Sequence, residues 1–257
     1  MMKLTFLGTG TSTGVPQLMC DCPVCHSADP RDRRMRCSAL VDTGTETILV
    51  DCGPDFYFQM LNHHHNKPLD ALIVTHSHYD HVGGVDDLRP YCTPDGFPVY
   101  CRADVAEDLR NRLPYCFKEN PYPGVPRFAM HEIKPFTPFM IGNTEILPLE
   151  IMHARLPILG FRIAGRLAYI TDAKTVPQPT IEAVKGIDTL VINALRPAEH
   201  HSHMNLREAL DVIEMIKPRE AWLIHMSCAF GPHSESQALL PDNVHVAYDG
   251  LIIDIDN

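Results

Sequence analysis

The sequence lacks any apolar run approaching the ~18 residues that a membrane-crossing helix needs. Its opening, Met1-Met2-Lys3-Leu4-Thr5-Phe6-Leu7-Gly8, is broken by glycine too early to form the apolar segment of a secretory leader. Together these absences lead us to expect a cytoplasmic protein without membrane partners. Basic charge is also scarce: 22 Lys and Arg face 32 Asp and Glu, a formal net charge of −10. No basic stripe is available to collect phosphates, so stable nucleic-acid binding is not expected. A small anion drawn to a positive metal centre remains compatible with that balance. No linker, low-complexity tract or composition boundary divides the 257 residues, of which 45% are hydrophobic. One domain over 1–257 with a full core is the expected organisation.

What is present is a concentration of metal-ligating side chains. Thr75-His76-Ser77-His78-Tyr79-Asp80-His81 follows the apolar run Asp70-Ala71-Leu72-Ile73-Val74, which reads as a buried strand with the ligands on the loop leaving its end. Neutral imidazoles and carboxylates suit zinc, manganese or iron. Residues two apart in an extended segment point the same way, so His76 and His78 can grip one metal. Asp80 and His81, just past the turn, can reach a second. Nine cysteines is an odd number, and three of them form Cys20-x-Cys22-x-x-Cys25. Without an export signal this pattern points to a metal or free thiols rather than disulfides. Three sulfurs in a tight loop can chelate a tetrahedral ion that still needs a fourth ligand. Cys228 is the leading choice, with His26 and Cys37 as alternatives. Arg31, Arg33, Arg34 and Arg36 follow directly and could offset the negative charge of such a cluster. A closed sulfur site has no open position for substrate, so it reads as structural zinc.

The pattern His76-x-His78-x-Asp80-His81 resembles the metal motif of the metallo-β-lactamase superfamily. The resemblance implies an α/β fold, a four-layer αββα sandwich, with later ligands at later strand ends. His153 after Thr144–Leu149, Asp172 after Leu167–Thr171 and His225 after Ala221–Ile224 stand where that family places them. It further implies two catalytic divalent metals, Mn or Zn. His76, His78 and His153 would hold one, Asp80, His81 and His225 the other, and Asp172 would be shared. Asp51, in Asp51-Cys52-Gly53, resembles the family's carboxylate that supports the histidine motif from behind. The opening Gly8-Thr9-Gly10 to Gly14-Val15-Pro16, followed by the cysteines, resembles the PhnP branch, phosphodiesterases that open cyclic ribose phosphates. In that branch the fourth ligand of the structural zinc is a histidine; here its place is Cys228. His203 falls at the position of the branch's extra catalytic His. The implied function is therefore a metal-dependent phosphodiesterase acting on a small phosphodiester, with His203 and Asp80 as catalytic residues. Alternatives within the fold are a thiolester or lactone hydrolase and a tRNA 3′-processing-like ribonuclease, the latter disfavoured by the acidic charge.

The remaining segments yield local expectations. The Gly8–Gly14 loop misses the dinucleotide spacing and no lysine follows it, so it reads as a tight turn near the site. Ser38–Asp42 and Thr47–Asp51 suggest a hairpin around Gly44. His63-His64-His65 reads as a solvated loop. Gly83-Gly84 permits close packing, with Val85 to Arg89 continuing a helix. Between Pro114 and Pro138 six of the 22 prolines interleave with aromatics, which suggests a long insertion serving as lid or dimer contact. Ala103–Arg112 and Leu206–Ile216 read as helices, the second capped by Asn205. Val244–Ile253 reads as a closing hairpin.

Overall fold

Alternating apolar residues dictate the layers. In β2 (Ser38–Asp42) Ala39 and Val41 face one way and Leu40 the other; in β3 (Thr47–Val50) Ile48 and Val50 oppose Leu49. A strand apolar on both faces must be covered on both. The computed structural model, which describes residues 2–63, 66–120 and 122–255, satisfies this with two central sheets and helices outside each.

The first sheet runs in the order β14 (Ile252–Asp254), β1 (Lys3–Gly8), β2, β3, β4 (Ala71–Ile73), β5 (Phe97–Cys101), β6 (Phe128–Glu132). The second runs β13 (Val244–Val246), β12 (Glu220–Ile224), β11 (Thr189–Asn193), β10 (Leu167–Ile170), β9 (Leu156–Ile163), β8 (Thr144–His153), β7 (Phe139–Ile141). Both are mixed. Strands β3 to β6 are mutually parallel, as are β10 to β13.

Leu4, Phe6, Ile48 and Val50 meet Phe161, Ile163, Tyr169 and Val191 between the sheets. Outside the first sheet, α1 (Phe56–His63) and α3 (Ala103–Arg112) bury Phe56, Met60, Val105 and Leu109 against Leu49, Leu72 and Val99. A four-residue turn of helix, α2 (Tyr79–Val82), lies between them in the chain. Outside the second sheet, α4 (Gln178–Ala183) and α5 (Leu206–Ile216) cover Leu190, Ile192 and Leu223 with Ile181, Val212, Ile213 and Ile216. A last short helix, α6 (His233–Gln237), precedes β13. The four-layer αββα arrangement expected from the motif resemblance is the observed fold.

The ends of the parallel strands decide where chemistry can sit. Crossover connections return every parallel strand in the same direction, so β3, β4, β10, β11 and β12 all end on one rim. The opposite rim is closed by Glu46. Its carboxylate accepts from Asn143 N at 2.8 Å and from the hydroxyls of Thr144, Thr45 and Thr43 at 2.6, 2.6 and 2.9 Å. One buried side chain thus ties the β2–β3 turn of one sheet to the β7–β8 turn of the other.

Three local expectations are corrected. Val244–Ile253 is not a hairpin, because β13 joins the second sheet and β14 the first. Its apolar residues serve two different faces, which alternation alone does not reveal. The segment 114–138 is not one long loop. Pro114–Phe117 forms a 3-10 turn under α3, and β6 adds a parallel edge strand to β5, with Phe97 opposite Phe128. Val85–Tyr91 is a 3-10 helix rather than an α-helix, with Pro90 inside it. Of the three consecutive histidines, His63 closes α1 beside Gly250; His64 and His65 lie outside the described residues.

Candidate metal centre

Three polar residues that lie just past strand ends have left-handed backbone. Asp51 has φ 58°, Asp172 φ 55° and His225 φ 58°. Asp and His tolerate this region better than β-branched residues, and such outliers gather at functional sites. Each turns the chain sharply at the rim and leaves a polar side chain facing the gap between the sheets. Close backbone approach assists. A Cβ on Gly53 would lie 2.1 Å from the Asp80 carbonyl oxygen, and one on Gly84 would lie 2.2 Å from that of Gly53. Glycine at both positions lets the segment carrying Asp80 and His81 lie directly on the strand end carrying Asp51.

Asp80, His81, Asp172 and His225 present four ligand atoms that all lie within 4.8 Å of one another, and every one of these residues is buried. His81 Nε2 stands 3.3 Å from both Asp80 Oδ2 and Asp172 Oδ1, and His225 Nε2 stands 3.2 Å from Asp172 Oδ1. A second group shares Asp172 and adds His153 and His203. His76 Nε2 approaches His78 Nδ1 to 3.0 Å and Asp172 Oδ2 to 3.8 Å. The His153 ring lies 5.7 Å from that of His76 and 5.2 Å from that of His78. All seven expected ligands therefore converge on one spot, with Asp172 in the middle.

The hydrogen bonds prepare nitrogen lone pairs for a cation. His81 donates Nδ1–H to Asp51 Oδ2 at 2.7 Å, His153 donates to the Asp172 carbonyl at 2.8 Å, and His76 donates to the Thr75 hydroxyl at 3.0 Å. Each imidazole thereby keeps Nε2 bare and aimed at the cluster. Asp51 is itself held by Thr75 N and Thr75 Oγ1, both at 2.8 Å. His81 Nε2, His225 Nδ1 and Nε2, and His203 Nδ1 are buried without hydrogen-bond partners among the described residues. Buried polar atoms seldom stay unpaired unless something else satisfies them. Nitrogen and carboxylate oxygen with bare, converging lone pairs fit divalent metal ions.

Electrostatics agree. Burial opposes ionisation of Asp172 and Asp80, yet the neighbouring imidazoles, His225 and His81 for the first and His81 for the second, hold both carboxyls well below their ordinary range. Burial, then the neighbouring His81, drives His76 far down. Burial, then His225, holds His203 down to about 3. His81 is the exception. Desolvation disfavours its cation, but Asp172, Asp51 and Asp80 together raise it well above 6.5. In the metal-free molecule this favours a second proton on His81, on the Nε2 that an incoming cation would take over.

His203 is placed by the helix that follows it. Asn205 caps α5 through a reciprocal pair, Oδ1 accepting from Glu208 N at 2.8 Å and Asn205 N donating to Glu208 Oε2 at 2.9 Å. Glu208 also pairs with Lys174 at 2.6 Å, and Met204 N donates to the Ala173 carbonyl. These bonds set the His203 ring 4.7 Å from His153 and 4.9 Å from His225.

The sulfurs of Cys20, Cys22, Cys25 and Cys228 form a separate cluster within 4.8 Å, Cys20 and Cys228 being 3.8 Å apart. Burial, then the other three sulfurs, pushes Cys228 up to about 12, whereas a backbone N–H from Cys25 brings Cys22 to about 7. Four soft donors at this spacing fit one tetrahedral ion. The two other candidates for the fourth ligand lie elsewhere. His26 pairs with Asp21 at 2.7 Å, and Cys37 is buried between the sheets. The expectation that the nearby arginines offset this cluster is not met. Arg31 pairs with Asp29, Arg36 with Asp55, and Arg34 donates to Thr9 and Ala247. Thr75 and Thr171, which each hydrogen-bond a site carboxylate, were not singled out from the sequence. Their signal is a threonine directly before a ligand at a strand end.

Two seven-stranded sheets with nitrogen and oxygen donors gathered at one rim define a metallo-β-lactamase-type hydrolase. The chain belongs to the β-lactamase superfamily, whose domain model matches residues 46–226. The crystal structure of a diphosphatase from the PhnP family is similar to it over 98% of this chain and 96% of that one, with a TM-score of 0.90 and 33% identity. That degree of likeness over the full length puts the chain in the PhnP family. It is also 45% identical over 99% of its length to a Porphyromonas gingivalis W83 protein named octanoyltransferase, of which 52% is matched. The chain thus spans about half the length of that relative. Zn(2+)-bound PqqB from Methylobacterium extorquens shares the fold, with a TM-score of 0.79 at 18% identity over 98% of this chain and 99% of that one. No helix among the described residues is long and apolar enough to cross a membrane.

Proposed function

We propose that the chain is a metal-dependent phosphodiesterase cleaving a P–O bond of a small phosphodiester or substituted diphosphate. The observation that carries this reading is His203, a largely buried imidazole whose Nδ1 makes no hydrogen bond among the described residues and stands 3.9 Å from Asp172 Oδ2. Divalent ions held by His76, His78, Asp80, His81, His153, Asp172 and His225 would supply Lewis-acid charge and acidify water near neutral pH. The protein's own groups do the rest. Asp80 and Asp172, ionised in the buried site, orient a water for in-line approach to phosphorus. His203 can hold a non-bridging oxygen through its N–H and, once the anionic substrate beside it has let it take up a proton, pass that proton to the departing alkoxide. The likeness to a PhnP-family diphosphatase supports the reading. We propose further that Cys20, Cys22, Cys25 and Cys228 hold a structural zinc that pins the N-terminal loop to the segment following β12.

A second reading, hydrolysis of an acyl thiolester, is favoured by the name of the double-length relative. It gives His203 little to do, because a thiolate leaves without a proton. Rates on a bis-aryl phosphate, a cyclic nucleotide, a dinucleoside diphosphate, an octanoyl thiolester and a β-lactam, measured side by side, separate the two. The expected order puts a phosphorus substrate first, and His203→Ala lowers its turnover by about a hundredfold. Fastest turnover of the thiolester, indifferent to that substitution, would overturn the proposal.

A further inference from the structure

Behind the loop that carries the cis Val15–Pro16 bond lies a cavity of about 440 Å³, lined among others by Arg33, Arg34, Arg36, Asp55, His63 and Asp249. It contains none of the metal-centre residues. In a chain of net charge −10 three arginines on one concavity are conspicuous, and their partners are informative.

Arg36 is engaged: its guanidinium meets both Asp55 oxygens at 2.9 and 3.1 Å and the Ser12 carbonyl at 3.2 Å. Asp249 is engaged too, accepting from Thr9 N, Thr9 Oγ1 and Met35 N at 2.9, 2.7 and 2.6 Å. Arg34 is different. Only 5% of it is exposed, yet no carboxylate lies within ion-pair distance of it among the described residues. Its Nη1 donates to Thr9 Oγ1 and the Ala247 carbonyl, whereas Nε and Nη2 make no hydrogen bond there. Arg33, exposed at the mouth, has neither an ion pair nor a side-chain hydrogen bond among the described residues. Asp249 and Asp32 attract it from nearby without pairing with it directly, so the unbonded edge of a mostly buried guanidinium is left for a ligand.

We infer that this cavity binds the phosphate group of a small phosphorylated molecule, with Arg34 gripping it from below and Arg33 closing over it. The planar fork of a guanidinium matches a tetrahedral oxyanion through paired N–H donors. Both carboxylates in the cavity wall have their oxygens committed to other donors, so the free donors outnumber the free acceptors. The volume leaves room for an organic substituent beyond the phosphate. The site is distinct from the metal centre and independent of the reaction proposed above.

The test is a tungstate soak of crystals of the metal-loaded protein, located by anomalous scattering, with calorimetric titration of inorganic phosphate and diphosphate alongside. Anomalous density between Arg33 and Arg34, together with a phosphate affinity that Arg33→Glu weakens about tenfold or more, is the expected result. Because Arg33 is exposed and unpaired, that substitution leaves folding and phosphodiesterase turnover unchanged. Density confined to the histidine cluster, or none at all in the cavity, overturns the inference. So does phosphate binding that is indifferent to Arg33→Glu.

Discussion

Asp51 offers no ligand atom to the shared cluster, yet Asp51→Asn is expected to disable it. The carboxylate serves three donors at once: Thr75 N on Oδ1, and Thr75 Oγ1 and His81 Nδ1 on Oδ2. An amide of the same shape has only one accepting atom. If its oxygen keeps Thr75 N, its NH₂ faces His81 Nδ1, which must then become the acceptor. The His81 proton moves to Nε2, the atom that stands 3.3 Å from Asp80 and Asp172, and a protonated nitrogen cannot bind a cation. If the amide turns over, NH₂ meets the Thr75 N–H in a site where both residues are fully buried. Either outcome leaves a buried mismatch costing about 1–3 kcal/mol. Loss of such a supporting partner typically lowers metal affinity 10–100-fold, or about 1.4–2.8 kcal/mol. The assay is activity and calorimetric binding against Mn²⁺ or Zn²⁺ concentration on stripped protein. Half-saturation should rise 10–100-fold, turnover should recover in part at high metal, and thiol-bound zinc should stay constant. An unchanged metal curve would show that Asp51 does not set the His81 tautomer.

Other expectations are more local. Cys228→Ala should remove about one zinc per chain by elemental analysis and lower the melting temperature, while metal at the histidine cluster is retained. Mild chelation should abolish activity before it removes that zinc. Glu46, held down to about 2 chiefly by the Asn143 N–H and then by the Thr144 hydroxyl, should couple the opposite rim to pH. Its folded value lies below the unfolded one, so its stabilisation is full above about pH 4.5 and fades as pH falls towards 2. Glu46→Gln should cost about 1–3 kcal/mol at neutral pH. In parallel denaturant melts the gap between variant and parent should narrow across that window; a constant gap would assign the cost to packing alone.

Much of the site was legible because metal chemistry leaves local marks. His76-x-His78-x-Asp80-His81 compresses four ligands into six residues, and His153, Asp172 and His225 each close an apolar run. Asn205 was legible as the cap of the amphipathic run after it, and the structure adds the reciprocal Glu208 bond and that this cap also places His203. Other features have no local mark. Thr75 looks like any strand-end threonine until Asp51 folds against it. Arg34 sits among arginines expected to offset the sulfurs, and only the packed loop shows it buried and without a direct ion pair.

Ligand identity and strand ends are properties of short segments, so residue order alone determined them: period-two apolar runs make strands, and a polar residue after such a run must leave the core. Tertiary structure decided which ends meet. Val244–Val246 and Ile252–Asp254 part into different sheets, Cys228 comes to Cys20 across most of the chain, and Glu46 clasps Thr144. Each of these joins residues far apart in the chain, whose proximity depends on how the two sheets stack. Stacking follows from the sum of many apolar contacts, and no single segment carries that sum.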